Sequence, residues 1–533
     1  MSDYLKRQLI AYIGNKRALL PFLSQLFTEL VDGRRPGVFL DAFAGSGSVA
    51  RLARTQGFEV HANDWEPYAL VMNRAYLTQT PRSVRQTFQP WGGLDRVLDR
   101  LNGLRSPRQE FVARWYAPRS TAEADWRTER LFYTRENALW LDAVREAIED
   151  LVPAPAGGEP HPARDLLLAL LVYEASVHSN TSGVFKAYHK GFGGHGGDAL
   201  TRILAPMELE QPELWDSTRS ASASALDAAA FLSTRTADLI YLDPPYNQHQ
   251  YGSNYHLLNT VVLGDRFVPE AKAGIRRDWV KTKSPFCSRS TAPQAFRRLI
   301  DAADARHLVV SYNTEGVIPF EELYEILDSR GRVELRVQDY VTYRGGRQSP
   351  GRRTHNLEFV LVVDTRAQDR SGARPVVDRF LAEKRLGTLL KSAFVPRRLR
   401  EAFPGTGTEV EVAGRAWSTD GLYRFTPIPV PGGLTLAQVE DTTRRLEGAA
   451  CRSHQEEFSV LVDLLARVPG PLPTPKVRRL ALVLRKFAFR QYQSDFLRDL
   501  NRARDLARGA QDGLLTKLLD ELEPVAHRRF APK

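Results

Sequence analysis

Cysteine is almost missing from this chain of 533 residues, which holds only Cys287 and Cys451. Two thiols cannot build a multi-disulfide framework or a Cys-rich zinc site. No stretch reaches the ~20 consecutive apolar residues of a membrane span. The opening MSDYLKRQLIAYIGNKR lacks the apolar core of a secretory signal. Internal repeats and collagen-like periodicity are absent as well. Secreted, disulfide-stapled, membrane and collagen-like classes are therefore excluded. A cytoplasmic globular protein of roughly two to four domains is expected.

What is present in excess is positive charge, and it is unevenly spread. The net charge is +11, yet the first 369 residues carry 45 basic and 44 acidic side chains, and residues 370–533 carry 29 and 19. The densest run is Lys476, Arg478, Arg479, Arg485, Lys486, Arg490, Arg498, Arg502, Arg504 and Arg508, interleaved with Phe487, Phe489, Tyr492 and Phe496. Such a surface suits phosphate neutralisation. An amphipathic helix with a solvated basic face explains the same pattern equally well.

The apolar pattern predicts a helix over 8–31, a strand at 38–41, a helix at 49–55, a strand at 58–64 and a helix at 68–77. This alternation reads as a parallel α/β sheet. Strand patterns resume at 239–242, 307–312 and 357–363. Between Leu77 and Asp227 lies an insertion of roughly 150 residues, too long for a loop and expected to form a subdomain. Its 95–150 portion reads as mostly helical, 153–162 as a Pro/Gly-rich loop, 163–178 as an apolar helix and 217–224 as a small Ser/Ala-rich loop. A polar linker follows Asp364, then a mixed segment to about Pro431 and a mainly helical remainder.

Two turns carry chemistry. At 41–47 the strand ends on Asp41 and a glycine turn opens a helix, making Asp41, Phe43, Gly45, Ser46 and Gly47 candidate cofactor contacts. Glycines let the chain turn tightly and a ligand approach the backbone. The acid precedes the glycines, unlike a dinucleotide fingerprint, and suits a cationic or amino-bearing ligand. Asp64 ends the next strand, where a carboxylate can accept two ribose hydroxyls. Together they fit S-adenosylmethionine. At 239–246 an apolar strand delivers Asp243, Pro244, Pro245 and Tyr246, the candidate catalytic residues. The prolines stiffen the backbone and free carbonyls. A carboxylate and a carbonyl that accept from an exocyclic amine favour a tetrahedral nitrogen and support its developing positive charge. A neighbouring ring can stack on an extruded base.

These motifs resemble the D12 class of DNA adenine-N6 methyltransferases, the Dam-type group. The order matches its alpha arrangement: a leading Tyr-Ile-Gly-Asn-Lys at 12–16, then 41–47, Asn63-Asp64, an insertion, and 243–246. Stretches 133–145, 247–258, 310–316 and 356–362 are also family-like, and the resemblance spans about residues 5–365. It implies a Rossmann-like methyltransferase sheet from 1–80 and 220–365, with a mainly helical target-recognition subdomain at 81–219. It implies that Tyr12, Gly14, Asn15 and Lys16 line the cofactor pocket and that Asp227 lies near the cofactor's adenine. It further implies that the polar, Gly-rich stretch 178–200 faces double-stranded DNA, through Asn180, Lys186, His189 and Lys190 reaching phosphates or base edges. A flexible surface loop is the plain alternative there. Metal binding by His189 and His195 is disfavoured, because no Cys or carboxylate cluster stands at ligand spacing. Lys281 and Lys283 suit either phosphate or solvent, and Asn254 and Tyr255 either the target pocket or packing.

The basic domain at 370–533 lies outside the resemblance. It is expected to grip DNA or recruit a restriction or defence partner. It holds no convincing nuclease cluster; Glu409, Glu411 and Arg415 are too few. Other readings remain open at this level. One is transfer to cytosine N4 or to an RNA adenine. Another is a DNA-binding, methylase-like subunit of a restriction or defence assembly.

Overall fold

The computed structural model describes residues 2–194, 197, 199–313, 316–337, 358–367, 369, 374–405, 408–412, 414–421, 423–426 and 433–530. The chain divides into two compact units, Met1–Ala373 and Arg374–Lys533. His195, and most of the linker after Ala367, lie outside the described residues.

The first unit is built on seven strands: β1 (Val38–Asp41), β2 (Glu59–Asn63), β3 (Ala221–Ser224), β4 (Ala237–Leu242), β5 (Ala305–Asn313), β6 (Arg332–Val337) and β7 (Glu358–Asp364). Their spatial order is β3-β2-β1-β4-β5-β7-β6. Strands β1 to β5 pair in parallel, and β7 runs antiparallel between β5 and β6. This is a doubly wound α/β sheet whose order reverses between β1 and β4, where a crevice opens at the carboxyl ends of the strands. The central strands are buried almost throughout, as their near-continuous apolar runs require.

Two expectations change. Residues 217–224 do not form a loop, because Ala221–Ser224 adds a strand beside β2, with Val60 opposite Ala221. Alanine and serine carry little strand propensity, so pairing with the buried neighbour decides the conformation. Nor does a helix run from 8 to 31; it spans Leu20–Val31, after a short 3-10 turn at Arg17–Leu19. The carbonyls upstream are taken by a buried guanidinium. Arg51 donates to Tyr4, Arg7 and Gln8 oxygens and stacks on the Tyr76 ring at 3.8 Å.

The inserted helices Leu94–Asn102, Arg135–Leu151 and Pro162–Val177 share one hydrophobic core with β4 and the helix Pro67–Thr78. Helix covers less of 95–150 than its pattern predicts. Much of 103–134 is irregular and held by Asp142, whose carboxylate accepts from the amides of Phe111, Val112 and Ala113.

The second unit has two cores. One joins the helix Arg374–Leu389 to the hairpin β8 (Glu409–Val412) and β9 (Arg415–Ser418) and to the helix Leu436–Ala449. The other lies among the helices His454–Leu465, Thr474–Arg485, Gln493–Gly509 and Gly513–Phe530.

Candidate active site

At the carboxyl ends of β1, β2 and β4 lies a cleft of about 700 Å³ including its mouth. Ala42 and Phe43 line it from the end of β1, Asn63, Asp64, Trp65 and Glu66 from the end of β2, and Asp243 and Pro245 from the end of β4. Leu226 and Asp227 stand at one rim; Tyr12, Tyr251, Thr282, Ser284 and Phe286 close the rest.

The β1 turn is shaped by contact. Gly45 has φ +51°, and a Cβ there would come within 2.8 Å of the Tyr12 ring. Its amide donates to Asp64 Oδ2 at 2.8 Å, while Asp64 Oδ1 accepts from the Glu66 amide at 2.9 Å. Asp64 is thereby aimed before any ligand arrives, and each oxygen keeps a lone pair. Tyr12 stacks on Tyr251 and Tyr255, both at 5.1 Å. The Tyr255 hydroxyl accepts from the Ile13 amide at 2.7 Å.

Carboxylates dominate the electrostatics. Burial pushes Asp41 up to about 8, with the charge of Asp243 adding to the shift. Burial also raises Asp64 to about 6 and Glu66 to about 7. Glu66 Oε2 accepts from Asn259 at 2.6 Å, which partly offsets its desolvation. Lys16 is set against this cluster by an ion pair, its Nζ 3.1 Å from Asp243 Oδ1. Lys16 is 3% exposed and Asp243 17%, so the pair is shielded from water. The same ammonium donates to the Gly14 carbonyl. The cleft thus combines carboxylate acceptors, aromatic ring faces and a glycine turn at its base.

A model of D12 class N6 adenine-specific DNA methyltransferases matches residues 12–326. The chain belongs to that family. It is 31% identical over 350 residues to type II methyltransferase M.NlaIII of Neisseria lactamica, covering 65% of this chain and 96% of that one. It is 30% identical over 356 residues to modification methylase StsI of Streptococcus sanguinis, covering 66% of this chain and 51% of that one. It is 28% identical over 361 residues to type II methyltransferase M.FokI of Planomicrobium okeanokoites, covering 66% of this chain and 52% of that one. The chain thus spans nearly all of the Neisseria enzyme and about half the length of the other two. No solved structure matches it. Family membership makes it an adenine-specific DNA methyltransferase, which displaces cytosine and RNA as targets, and an enzyme rather than a bare scaffold. Its reaction requires a methyl donor.

In this D12 methyltransferase the residues singled out from sequence take different places around the cleft. Tyr12, Phe43, Asp64, Asp227, Asp243 and Pro245 line the cleft together. Asp227 also caps the helix Ala228–Leu232, accepting from the Ala229 and Ala230 amides. Gly45, Ser46 and Gly47 shape the turn without lining the cleft, and Asp41 and Pro244 are buried behind it. Tyr246 packs beside it, 6.1 Å from Tyr312.

The leading segment departs from expectation. Gly14, at φ +73°, turns the chain beneath Tyr246, and Asn15 bonds locally to the Tyr12 carbonyl. Neither they nor Lys16 line the cleft wall. Lys16 serves Asp243 instead.

Asn180 does not face outward. It is 0% exposed, and its amide donates to the Leu131, His189 and Gly191 carbonyls, clamping the base of its loop. Lys186 and Lys190 are exposed and His189 is half-buried. Lys186 lies close enough to oppose the upward shift of the Cys287 thiol, next to Phe286 of the cleft. Lys190 sits 4.5 Å over the Trp126 ring, which Lys272 shares at 5.3 Å.

Trp65, Glu66, Tyr251, Thr282, Ser284 and Phe286 are additions that sequence reading missed. Trp65 and Glu66 directly follow Asp64, which was the available signal. Among the described residues, no group of three or more His, Cys, Asp or Glu could hold a metal ion.

Proposed function

We propose that this D12 methyltransferase modifies a specific site in double-stranded DNA, using S-adenosylmethionine as donor and taking the target adenine out of the helix. The observation that carries the reading is that one cleft receives both Asp64 and Asp243, from strands β2 and β4 on either side of β1.

Asp64 would hold the ribose hydroxyls, Trp65 the adenine face and Asp227 the ring edge of the donor. Tyr12 and the 41–47 turn would hold its amino-acid part. Asp64, and in part Glu66, supply the negative surroundings a cationic donor favours, while Asp41 keeps its proton behind the cleft near neutral pH. When bound, S-adenosylmethionine supplies an electrophilic methyl group activated by its sulfonium charge.

At the other end, Asp243 and the Pro244 carbonyl would accept hydrogen bonds from the target N6 amine. These two acceptors are stiffened by consecutive prolines. They orient the amine lone pair and support its positive charge as the bond forms. Tyr246 and Tyr251 offer ring faces to the base. Each carboxylate oxygen carries two lone pairs, so Asp243 can accept from the amine while Lys16 holds its Oδ1 in place. Two unit charges at this separation attract by about 5 kcal/mol at an effective dielectric of about 20, before desolvation is counted. The Gly14 carbonyl also accepts from Lys16.

Target recognition falls to the inserted segment, with its Lys186, His189 and Lys190, and Lys272 from beyond β4, meeting phosphates. The relatives' names describe modification enzymes, which supports a role in marking DNA, with a restriction or defence protein as partner.

Nucleoside mass spectrometry of DNA incubated with protein and S-adenosylmethionine tests the reaction. Long-read sequencing of DNA from cells expressing the chain tests site specificity. N6-methyladenine at one recurring sequence is expected. Its absence with folded, donor-bound protein, or methylation without sequence context, refutes the corresponding part.

A further inference from the structure

The unit Arg374–Lys533 lies beyond the residues matched by the family model, and it carries nearly all the surplus positive charge. Many of its arginines are neutralised internally. Arg379 pairs with Glu383, Arg397 with Glu401, Arg479 with Glu457, Arg504 with Glu523 and Arg508 with Asp505.

The helix Thr474–Arg485 departs from that pattern. One face buries Val477, Leu480, Val483 and Leu484 in the core. The opposite stripe exposes Arg478, Leu482 and Arg485, followed by Lys486 and Phe489. Phe489 is 51% exposed and Tyr492 44%. Arg529, from the end of the helix Gly513–Phe530, places its guanidinium 5.2 Å over the Phe489 ring. Among the described residues, none of Arg478, Arg485, Lys486 and Arg529 forms an ion pair with a carboxylate. Three of these cations, Arg485, Lys486 and Arg529, follow or end a helix and so meet its negative pole. That role does not account for the exposed Phe489 ring beneath the Arg529 guanidinium, nor for the exposed Tyr492 ring beside Lys486. Water solvates such rings poorly, whereas deoxyribose and phosphate would cover rings and cations together.

We propose that Arg478, Arg485, Lys486, Phe489, Tyr492 and Arg529 form a second, sequence-independent contact to the sugar–phosphate backbone of duplex DNA. The proposal rests on the DNA-acting nature of the chain but not on the chemistry of the cleft. Cations of the patch meet phosphates, and the rings pack on deoxyribose. The contact adds affinity and salt dependence without adding sequence information.

The test compares the full-length protein with its R485Q/K486Q/R529Q form, and with the milder R485Q/K486Q form should the triple variant fold poorly. Binding to a non-specific duplex and to a single strand of the same length is followed by fluorescence anisotropy at several salt concentrations. Each lost phosphate contact lowers the slope of log K against log salt by about 0.9 on duplex, so a fall of about 2 to 3 is expected. Roughly tenfold weaker duplex binding near physiological salt accompanies that loss. Circular dichroism and limited proteolysis of the unit Arg374–Lys533 on the same preparation report an intact fold. An unchanged duplex slope overturns the proposal, as does a loss confined to single strands or to an acidic protein partner. Failure of the methylation reading appears separately, as no methyl transfer by the unaltered protein.

Discussion

Replacing Asp41 with asparagine isolates the cost of burying a carboxyl group behind the cleft. In the folded protein Asp41 titrates at about 8, against an ordinary value of 3.8, because burial and then the Asp243 charge disfavour its ionised form. Between those values the folded protein holds a proton that the unfolded chain releases. Stability contributed by this group is therefore complete below about pH 4 and falls as pH rises toward about pH 8. The fall is about 1.4 kcal/mol per pH unit, or about 2.7 kcal/mol between about pH 5.5 and about pH 7.5. Asparagine is nearly the same size, carries no charge and retains an acceptor for the Phe43 amide that now bonds the carboxyl. The variant should gain on the unaltered protein by that amount across the interval. Urea unfolding by pulse proteolysis, with fragments assigned to the unit Met1–Ala373, measures it. Asp64 and Glu66 also titrate in this range, but they are common to both proteins and cancel in the difference. Parallel stability curves would mean that Asp41 stays ionised when folded, and the argument that burial holds its proton would fail.

Three further outcomes are expected. Asp243→Ala should lower N6-methyladenine formation by at least ~10²-fold while calorimetry still detects donor binding; turnover near that of the unaltered enzyme would remove the acceptor role. Trp65→Ala should weaken S-adenosylmethionine by roughly two- to tenfold, the value of one aromatic contact, with DNA affinity unchanged; equal donor affinity would put the adenine elsewhere. Asn180→Ala removes the clamp on three carbonyls and should cost about 1–3 kcal/mol, seen as faster proteolytic cutting between 181 and 199; an unaltered cutting rate would show that the loop holds itself.

Much of the sheet was legible because its strands are buried on both sides. The apolar runs at 38–41, 58–64 and 239–242 can be little else, and β1, β2 and β4 follow them closely. Strand β3 was hidden, since Ala-Ser-Ala-Ser has no apolar rhythm and pairs only because β2 offers it an edge. The overlong first helix failed for a related reason: an apolar spacing cannot announce that Arg17 will take the Leu9 and Ile10 carbonyls and Arg51, farther along the chain, that of Gln8. Within the site, acids at strand ends are conspicuous, and Asp64 and Asp243 stand where such acids belong in an α/β fold. The partner of Asp243 was not legible. Nothing in the spacing joins Lys16 to a residue more than two hundred positions away, and only the turn at Gly14 brings them together. Asn180 was misread because a polar side chain looks the same in sequence whether it bonds to a ligand or closes a loop.

The helix Pro162–Val177 is apolar on nearly every side and wedged against Pro67–Thr78, the helix that follows β2. Exchanging the whole inserted segment would therefore tear open the scaffold that holds the cleft. On the proposed reading, in which that segment meets DNA, altered specificity is to be sought at exposed positions such as Lys186 and Lys190, leaving the buried helices as they are.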